Sequence, residues 1–361
     1  MIKIKIGNNI ISNKHPAYFI ADIASNHDGS LKRAKKLIKM AADSGANAAK
    51  FQNFYAKTLV SDYGFKNLAN INSHQNKWGK SVYKTYEENE VPIEWTQELK
   101  EECKNNNIEY FTAPYDLKII SYLNQYVDIW KLGSGDITWH ENILQIAKTK
   151  KPLIIATGAS NLNEVKKIYN KISKINNKIC IMQCNTNYTG LKENFKYINL
   201  NVLKSYKKYF PKAILGLSDH TIGHETVLGA ITLGAKVIEK HFTDNNNKTG
   251  PDHEFSMNPK SWEKMIDASR NLELSLGSEL KKLEKNEEYT VILQRRSARL
   301  KKNIKTGEKI TSEDIEFLRP CPKNAAPIYN INKIYNKIST INLHKNNYIT
   351  KNQFKKILSK K

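Results

Sequence analysis

Cysteine is scarce in this chain. The 361 residues include four cysteines, Cys103, Cys180, Cys184 and Cys321. So few cysteines in a chain of this length do not make a disulfide framework, which belongs to small secreted domains with closely spaced pairs. Cys180 and Cys184 lie in one apolar run, where a packing role is favoured over redox chemistry or metal binding. We therefore expect a reduced protein.

Long apolar runs are also missing. No stretch approaches about 18 uninterrupted apolar residues, so the sequence excludes a transmembrane helix. The opening residues, MIKIKIGNNI, alternate charged and apolar side chains and contain no apolar core of a secretory signal. Intrinsic disorder is excluded as well, because apolar runs such as PLIIATG and ILGLS recur along the chain. These absences predict a globular cytoplasmic protein without a membrane partner.

Acidic residues are outnumbered by basic ones. Lys and Arg together number 58 against 35 Asp and Glu, which gives a formal charge of +23. The lysines are scattered among Asn and Ile, and the sequence contains no arginine-rich run, zinc-finger spacing or RNA-binding motif. Charge by itself governs solubility and the attraction of anions, not fold. We expect a phosphorylated anionic substrate and no nucleic acid; a non-catalytic anion- or nucleic-acid-binding barrel is the alternative from another functional class.

Apolar segments alternate with helical segments from residue 18 to about residue 276. The apolar segments hold few charges, which is typical of parallel strands buried on both faces. Eight such units in about 260 residues predict an α/β protein with a (β/α)8 TIM barrel. The predicted strands are Tyr18–Ile23, Ala48–Gln52, Glu109–Ala113, Ile129–Gly133, Leu153–Thr157, Ile179–Cys184, Ile214–Ser218 and Val237–Phe242. The predicted helices are Leu31–Asp43, Trp95–Asn106, Leu117–Gln125, Glu141–Lys148, Leu162–Ile175, Leu200–Tyr209, Glu225–Leu233 and Lys260–Leu276.

Two segments depart from a minimal barrel. Residues 2–11 place Gly7-Asn8-Asn9 between apolar runs, which predicts a hairpin. A long connection from Asn53 to Pro92 follows a strand, and connections of that length are usually functional or mobile. We expect it to overhang the barrel mouth.

The pattern changes after Leu276. A highly charged segment is followed by short strand-like pieces separated by turns. We therefore predict a catalytic barrel with its hairpin over 1–277, a linker over 278–289 and a small β-rich domain over 290–361.

Two lysines stand within otherwise apolar predicted strands. Catalytic residues of a TIM barrel come from the carboxyl ends of its strands, and Lys50 and Lys131 lie near such ends. An unpaired buried charge is costly, so each lysine needs an anionic partner. A buried salt bridge accounts for either lysine alone, whereas two lysines directed into one barrel mouth favour a phosphate or carboxylate site.

Two histidines stand at the ends of the seventh and eighth predicted strands. Adjacent strand ends bring His220 and His241 close together. Two interpretations remain open: a shared divalent metal, for which imidazole is a common ligand, or two unrelated histidines of the core.

Several segments resemble the sialic acid synthase family, in order and over nearly the whole chain. They are ADIASNHDG (21–29), AKFQ (49–52), FTAPYD (111–116), KLGSGD (131–136), GLSDHT (216–221), VIEKHFT (237–243) and GPDHEFSMNP (250–259). The C-terminal RRSARLKKNIKTGEKITSEDI, with Arg319-Pro320 after it, is similar to the antifreeze-like (SAF) domain of that family, a β-clip fold. GLSDHT combined with the two segments after it is a highly specific match.

The resemblance implies a reaction, a cofactor and an assembly. Members of the family condense phosphoenolpyruvate with an N-acylated amino-hexose, such as N-acetylmannosamine, through a metal-activated aldehyde and cleavage of a C–O bond. The products are a nonulosonic (sialic-acid-like) 2-keto-3-deoxy acid and phosphate. Mn²⁺ is the expected cofactor, with Mg²⁺ or Co²⁺ as alternatives, and the implied assembly is a domain-swapped homodimer. The second candidate is a related synthase that makes a different ulosonic acid from a sugar without the acetamido group.

The resemblance also implies roles for individual residues. The roles are metal binding for His220 and His241, phosphoenolpyruvate binding for Lys50, Thr112, Lys131, Ser134 and Ser218, sugar binding for Gln52, Asp136, Tyr188, Asp252 and the partner subunit's Arg319, and acid–base chemistry for Asp22 and Glu239. A carboxylate near the reacting carbons would take the proton of the attacking water. The lysines would neutralise the charge of the phosphate and carboxylate, and Lys50 and Lys131 therefore count as catalytic together with Asp22 and Glu239.

Four positions depart from the family pattern. Asp22 and Asp136 stand where the family has Glu, Ala156 where it has Ser, and Thr186 where it has Asn. Each Asp withdraws a carboxylate by one methylene, and Ala156 removes a hydroxyl from the phosphate site. We expect these changes to affect the choice of sugar more than the reaction, because a shortened Asp136 leaves room for a bulkier sugar such as a 2,4-diacylamido one.

Overall fold

The computed structural model describes residues 2–68, 75 and 78–359. The chain divides into two compact units, Met1–Gly277 and Ser278–Lys361. Among the described residues, the first unit holds one sheet of eight strands, all paired in parallel. These strands are β3 (Tyr18–Asp22), β4 (Ala48–Asn53), β5 (Glu109–Pro114), β6 (Trp130–Leu132), β7 (Leu153–Ala156), β8 (Ile179–Cys184), β9 (Ile214–Asp219) and β10 (Val237–His241).

The sheet nearly closes into a barrel. Its strand order is β5-β4-β3-β10-β9-β8-β7-β6, so the last barrel strand lies beside the first. In that pairing Val237 stands opposite Tyr18 and His241 opposite Asp22. β5 and β6, the two ends of the order, are neighbours in space. The predicted TIM barrel is confirmed, and its strands coincide with the predicted apolar segments to within about two residues.

Helices follow the strands and begin at residues that satisfy their free amide groups. Ser30 accepts a hydrogen bond from the Arg33 amide, and Asn161 and Glu164 form a reciprocal capping box. Among the described residues the helices are α1 (Leu31–Asp43), α2 (Ala56–Leu59), α3 (Asp62–Lys66), α4 (Val82–Glu88), α5 (Trp95–Asn105), α6 (Ile120–Leu123), α7 (His140–Lys148), α8 (Leu162–Ile172), α9 (Val202–Tyr209), α10 (Glu225–Thr232), α11 (Pro259–Leu276), α12 (Glu288–Gln294) and α13 (Lys351–Leu358). None of these helices is long and apolar enough to cross a membrane.

A short hairpin covers the amino-terminal end of the barrel. β1 (Ile4–Ile6) and β2 (Asn9–Ile11) pair antiparallel. Gly7 makes the turn with φ +51°, a left-handed conformation that glycine adopts without strain. Three isoleucines of the hairpin are buried against the inward-facing residues at the start of the barrel strands. The hairpin therefore forms an apolar floor beneath the barrel.

The connection between β4 and α5 contains three short helices, α2 to α4. Residues 69–74 and 76–77 of this predicted overhanging segment lie outside the described residues. The described part reaches the barrel mouth, because Trp78, Thr85 and Tyr86 line the cavity there.

The second unit packs around its own apolar cluster. β11 (Ser297–Leu300) and β12 (Ile315–Leu318) pair antiparallel. Isolated bridges, among them Ile304 with Leu343 and Lys309 with Ile338, extend this small β structure. The buried residues include Leu300, Ile310 and Leu343.

Candidate active site

One cavity opens at the carboxyl ends of the barrel strands. Its volume is about 270 Å³, and it is lined by every predicted site residue except Thr112 and Arg319. The predicted residues that line it are Asp22, Lys50, Gln52, Lys131, Ser134, Asp136, Tyr188, Ser218, His220, Glu239, His241 and Asp252. The strands bring these side chains together because alternate residues of a strand face the interior and the strand ends converge at the mouth.

Two lysines and two carboxylates form a buried charge cluster in the cavity. Lys50 Nζ lies 2.6 Å from Asp22 Oδ2 and 3.0 Å from Glu239 Oε1. Lys131 Nζ lies 2.8 Å from the same oxygen of Glu239. All four side chains are at most 4% exposed. Each lysine is therefore salt-bridged, and each also lines the cavity, as expected for two lysines directed into one barrel mouth.

The two carboxylates differ in their proton affinity. Burial opposes ionisation of Glu239, but the ammonium groups of Lys131 and Lys50 outweigh it and lower its pKa to about 2. Burial raises the pKa of Asp22, because Lys50 offsets only part of the desolvation and Glu239 adds repulsion. Asp22 is therefore the more basic carboxylate of the pair.

Glu239 uses only one of its two oxygens within the described part of the chain. Its Oε1 accepts hydrogen bonds from Lys50, Lys131 and Ser218, the last at 3.2 Å. Its Oε2 is buried and has no hydrogen-bond partner among the described residues. A buried polar atom normally has a partner, so this oxygen is available to a hydroxyl group of a ligand.

The two histidines meet in the cavity as neutral imidazoles. The ring centroids of His220 and His241 are 5.3 Å apart. Burial lowers the pKa of His220 to about 3 and that of His241 to about 4. His220 Nδ1 lies 2.9 Å from the carbonyl oxygen of Asn185 and must be the donor, because a carbonyl only accepts. The lone pair of His220 is therefore on Nε2.

The histidine pair fits a divalent cation that takes two protein ligands. His241 Nδ1 is buried and has no hydrogen-bond partner among the described residues. Neutral imidazoles with a free lone pair are common metal ligands, and a second hydrogen bond that fixes the tautomer is typical of them. In the described part of the chain no three His, Cys, Asp or Glu side chains group in a metal-binding arrangement. The remaining ligands of such an ion would come from water or substrate.

Hydroxyl and amide groups lie beside the lysines. Ser134 accepts a hydrogen bond of 3.0 Å from the Gly158 amide. Gly158 is required here, because a Cβ at this position would stand 2.7 Å from the Thr186 side chain. Ala156 also lines the cavity. Its side chain supplies no hydroxyl there, as predicted from the sequence.

Thr112 does not reach the cavity, and this corrects its predicted placement. In the parallel pairing of β4 and β5, Lys50 stands opposite Phe111, and Phe51 stands opposite Thr112. Phe51 packs in the outer core between sheet and helices. Thr112 faces the same way and lies 2.6 Å from Asn53 Oδ1, to which its hydroxyl donates. Arg319 belongs to the second unit, at the end of β12.

The outer part of the cavity is polar and aromatic. Burial raises the pKa of Asp136 to about 6.

A neighbouring cavity of about 680 Å³ shares Trp78, Thr85, Asn89 and Tyr188 with the first. The sequence patterns did not predict the residues that α4 contributes. The only signal for them in the sequence was the length of the connection between β4 and α5.

The lysines that line this neighbouring cavity are already paired. Lys80 Nζ lies 2.7 Å from Glu88, and Lys248 Nζ lies 2.8 Å from Asp28.

A hydrogen-bonded group that we call the Asp28 clasp holds the loop after β10 over the mouth. His253 is buried, with Nε2 2.9 Å from Asp28 Oδ1 and Nδ1 2.7 Å from Thr243 Oγ1. Next to it, Asp252 Oδ2 accepts a hydrogen bond of 3.0 Å from the Ser25 amide. The clasp thereby fixes Asp252, a cavity-lining residue, against the first strand's loop.

Comparison with known proteins identifies the family. The NeuB family profile matches residues 37–281, and the SAF domain profile matches residues 295–355. N,N'-diacetyllegionaminic acid synthase of Campylobacter jejuni is 35% identical over 327 residues, which cover 90% of this chain and 96% of that protein. N-acetylneuraminate-9-phosphate synthase of Homo sapiens is 31% identical over 278 residues, 76% of this chain and 75% of that protein.

A solved structure shares the fold. The crystal structure of the N-acetylneuraminic acid (sialic acid) synthetase of Leptospira borgpetersenii has a TM-score of 0.69 to this chain at 26% identity, covering 80% of this chain and 95% of that one. The resemblance seen in the sequence is therefore confirmed. Because the family profile spans the barrel and the relatives align over most of their length, the chain is an enzyme of the NeuB family of synthases and carries a SAF domain.

Proposed function

We propose that this enzyme condenses phosphoenolpyruvate with an N-acylated amino-hexose to give a nonulosonic acid and phosphate. One observation carries the proposal: two buried lysines and two neutral histidines meet in a single cavity at the carboxyl ends of the barrel strands. The lysines suit an anionic substrate and the histidines suit a cation. Relatives named as nonulosonic acid synthases support the same reaction class.

Phosphoenolpyruvate binds at the inner part of the cavity in this proposal. Lys50 and Lys131 neutralise its phosphate and carboxylate groups, while Ser134 and Ser218 offer hydroxyl groups. The substrate competes with Glu239 for both ammonium groups. Fixed charges in a buried site stabilise developing negative charge more strongly than water does.

The divalent ion is assigned to His220 and His241. When bound, it supplies Lewis-acid polarisation of the sugar's aldehyde. Mn²⁺ is the proposed ion, with Mg²⁺ and Co²⁺ as alternatives, on the basis of the family resemblance.

The bond changes follow from the two substrates. C3 of phosphoenolpyruvate bonds to the aldehyde carbon, whose oxygen gains a proton and becomes a hydroxyl. Water adds at C2 and gives up one proton, which balances the proton gained by the aldehyde oxygen. The C2–O bond to phosphate then breaks, its electron pair and the proton of the C2 hydroxyl go to the phosphate, and the 2-keto group is left. Asp22 takes the proton of the water because it is the more basic carboxylate, and Glu239 Oε2 accepts a hydrogen bond from the new C2 hydroxyl.

The sugar occupies the outer part of the cavity in this proposal. Gln52, Asp136, Tyr188 and Asp252 line the cavity and are assigned to it. A 2,4-diacylamido hexose fits the space that a shortened Asp136 leaves.

We further propose a homodimer in which the partner subunit's Arg319 contacts the acyl group of the sugar. The guanidinium group presents several donors in a fixed plane, which suits a carbonyl oxygen or a hydroxyl pair. This role rests on the family resemblance of the SAF segment.

Phosphate release is the direct test. Purified enzyme is incubated with phosphoenolpyruvate, Mn²⁺ and, in separate reactions, N-acetylmannosamine, its 6-phosphate, a 2,4-diacetamido hexose and mannose. We expect release with at least one of the acylamido sugars and none with mannose, and the acid product is identified by mass spectrometry. Excess chelator should abolish release and Mn²⁺ should restore it. Release with none of the sugars, or full activity in chelator, would contradict the proposal.

A further inference from the structure

A buried ion pair lies directly behind the two histidines. Asp219 precedes His220 at the end of β9, and Lys240 precedes His241 at the end of β10. Since neighbouring residues of a strand point to opposite faces, both side chains face the helices while the histidines face the cavity. Lys240 Nζ lies 2.5 Å from Asp219 Oδ2, and both side chains are at most 1% exposed.

The pair is part of a network that ties several elements together. Two threonine hydroxyls donate to Asp219, Thr221 at 2.8 Å and Thr226 at 2.7 Å. Lys240 also donates to the carbonyl oxygen of Thr221 at 2.6 Å, and the Thr221 amide bonds Asp219 Oδ1 at 3.2 Å. The network therefore joins the chain on both sides of His220 to β10 and to the first turn of α10.

The backbone ladder does not reach His220. The last paired position of β9 and β10 is Asp219 with Lys240, so His220 lies just beyond the final ladder contact. The contacts of Lys240 and Asp219 with Thr221 take the place of ladder hydrogen bonds at this point. They fix the residue after His220 as firmly as the strand fixes the residue before it.

Such a pair is a poor source of stability. Replacing a buried ion pair by apolar residues of similar volume is often neutral or stabilising, because both charges must lose their water. The clearest use of these charges is therefore geometric, and the geometry they control is the 5.3 Å separation of the two imidazole rings.

We infer that Asp219 and Lys240 are positioning residues that hold His220 and His241 at the separation a shared divalent ion requires. The inference rests on the proposed function, because that function places the ion between these histidines. Neither side chain touches the ion or the substrates in this assignment. Both act through the backbone that carries the histidines.

The test measures metal affinity separately from folding and from substrate binding. The double variant Asp219→Leu/Lys240→Met replaces the pair by apolar groups and leaves no unpaired charge. Thr226→Val is a milder second variant that removes one hydrogen bond to Asp219. Mn²⁺ affinity of the metal-free protein is measured by titration calorimetry, phosphoenolpyruvate affinity by fluorescence titration, and folding by thermal melting.

Tyr206→Phe is the matched control. It also removes a buried hydrogen bond in the outer layer of the barrel, that of Tyr206 on α9 to Thr157 at 2.8 Å, and neither residue bonds to Asp219 or Lys240. We expect the double variant to fold and to bind phosphoenolpyruvate normally while its Mn²⁺ affinity falls about 10- to 100-fold. Thr226→Val should show a smaller loss, and Tyr206→Phe none.

The outcomes separate the inference from the proposed function. Native Mn²⁺ affinity in a folded double variant, or in Thr226→Val should the double variant not fold, would overturn the positioning role alone. Equal losses of Mn²⁺ and phosphoenolpyruvate affinity would show a general disturbance and also overturn it. A wild-type enzyme that binds no divalent cation would overturn both.

Discussion

At the scale of single residues, Lys131 offers the sharpest test of the anion site. Lys131→Met removes an ammonium group that balances Glu239 in the buried cluster. We expect weaker phosphoenolpyruvate binding and slower turnover, because removing one charged partner of a buried ligand costs on the order of 3 kcal/mol of binding, roughly a hundredfold. Steady-state kinetics with each substrate varied in turn measure KM and kcat.

Lys151→Met is the control for Lys131. Lys151 is also a partly buried lysine next to a barrel strand, but its ammonium donates to the carbonyl oxygens of Asn124 and Val127. It should change neither constant for phosphoenolpyruvate. Unchanged KM and kcat in Lys131→Met itself would show that Lys131 is only structural.

Asp136 predicts a pH dependence of sugar binding. Burial raises the pKa of Asp136 to about 6, so its carboxylate is ionised above this pH and protonated below it. The ionised form accepts hydrogen bonds from sugar hydroxyls at both of its oxygens, whereas protonation turns one oxygen into a donor. The sugar KM should therefore be flat above about pH 7 and rise as pH falls through about 6. The KM profile of Asp136→Asn should lack this transition; an identical profile in both enzymes would rule Asp136 out as its source.

At the scale of elements, strand alternation decides which site residues the sequence could predict. Lys50, Lys131 and the histidines were predictable because polar groups at the ends of apolar strands are costly to bury unless they bind a partner or a ligand. Thr112 was assigned to the anion site from a motif alone. In the pairing of β4 and β5, Thr112 stands opposite Phe51 and not opposite Lys50. Because a shift of one residue turns a side chain to the other face of the sheet, Thr112 faces away from the cavity.

The contribution of α4 was beyond prediction for a different reason. Thr85, Tyr86 and Asn89 reach the cavity only because the connection folds back over the mouth. Such a connection carries no strand periodicity, and its return path depends on tertiary contacts such as the packing of Phe54 against Tyr86. The length of the segment indicates a functional role but does not say which of its residues take part.

The Asp28 clasp gives a prediction for the loop that carries Asp252. His253→Ala removes a buried hydrogen bond to Thr243 and a partly buried one to the Asp28 carboxylate. A neutral hydrogen bond contributes about 0.5–1.5 kcal/mol and one to a charged group about 1.5–3 kcal/mol, so the loop should loosen and the sugar KM should rise about tenfold or more. Phosphoenolpyruvate affinity should not change, since its lysines lie on other strands.

Lys248→Met is the matched variant for the clasp. It removes another partner of Asp28, but this pair is 38% and 32% exposed, and exposed ion pairs contribute little. Its sugar KM should stay close to that of the wild type. Equal changes of the sugar KM in His253→Ala and Lys248→Met would mean that sugar binding depends on the charge of the loop and not on the hydrogen bonds of the clasp.

At the scale of the whole molecule, the proposed role of Arg319 predicts complementation between subunits. Arg319→Ala lacks the sugar contact, and His241→Ala lacks a metal ligand. Each homodimer should be nearly inactive. When the two are mixed and exchange subunits, one of the two sites in each heterodimer has both residues intact, so part of the activity should return. Phosphate release and native mass spectrometry of the mixture measure activity and heterodimer content together.

No recovery despite proven heterodimers would mean that Arg319 serves its own subunit or neither. The control mixes Arg319→Ala with a wild-type enzyme carrying a purification tag. It establishes the rate of exchange and the activity of a heterodimer in which only one arginine is missing.

The apolar floor made by β1 and β2 has a kinetic consequence. Because the hairpin covers the amino-terminal end of the barrel, the cavity opens, among the described residues, at the carboxyl ends of the strands. A ligand held by the deeply buried Lys50 and Lys131 would have to enter before a ligand held at the rim and leave after it. For the proposed reaction we therefore expect compulsory-order addition, with phosphoenolpyruvate first. A non-reacting sugar analogue should be uncompetitive towards phosphoenolpyruvate in initial-rate measurements, and competitive or mixed inhibition would mean that the rim site fills on its own.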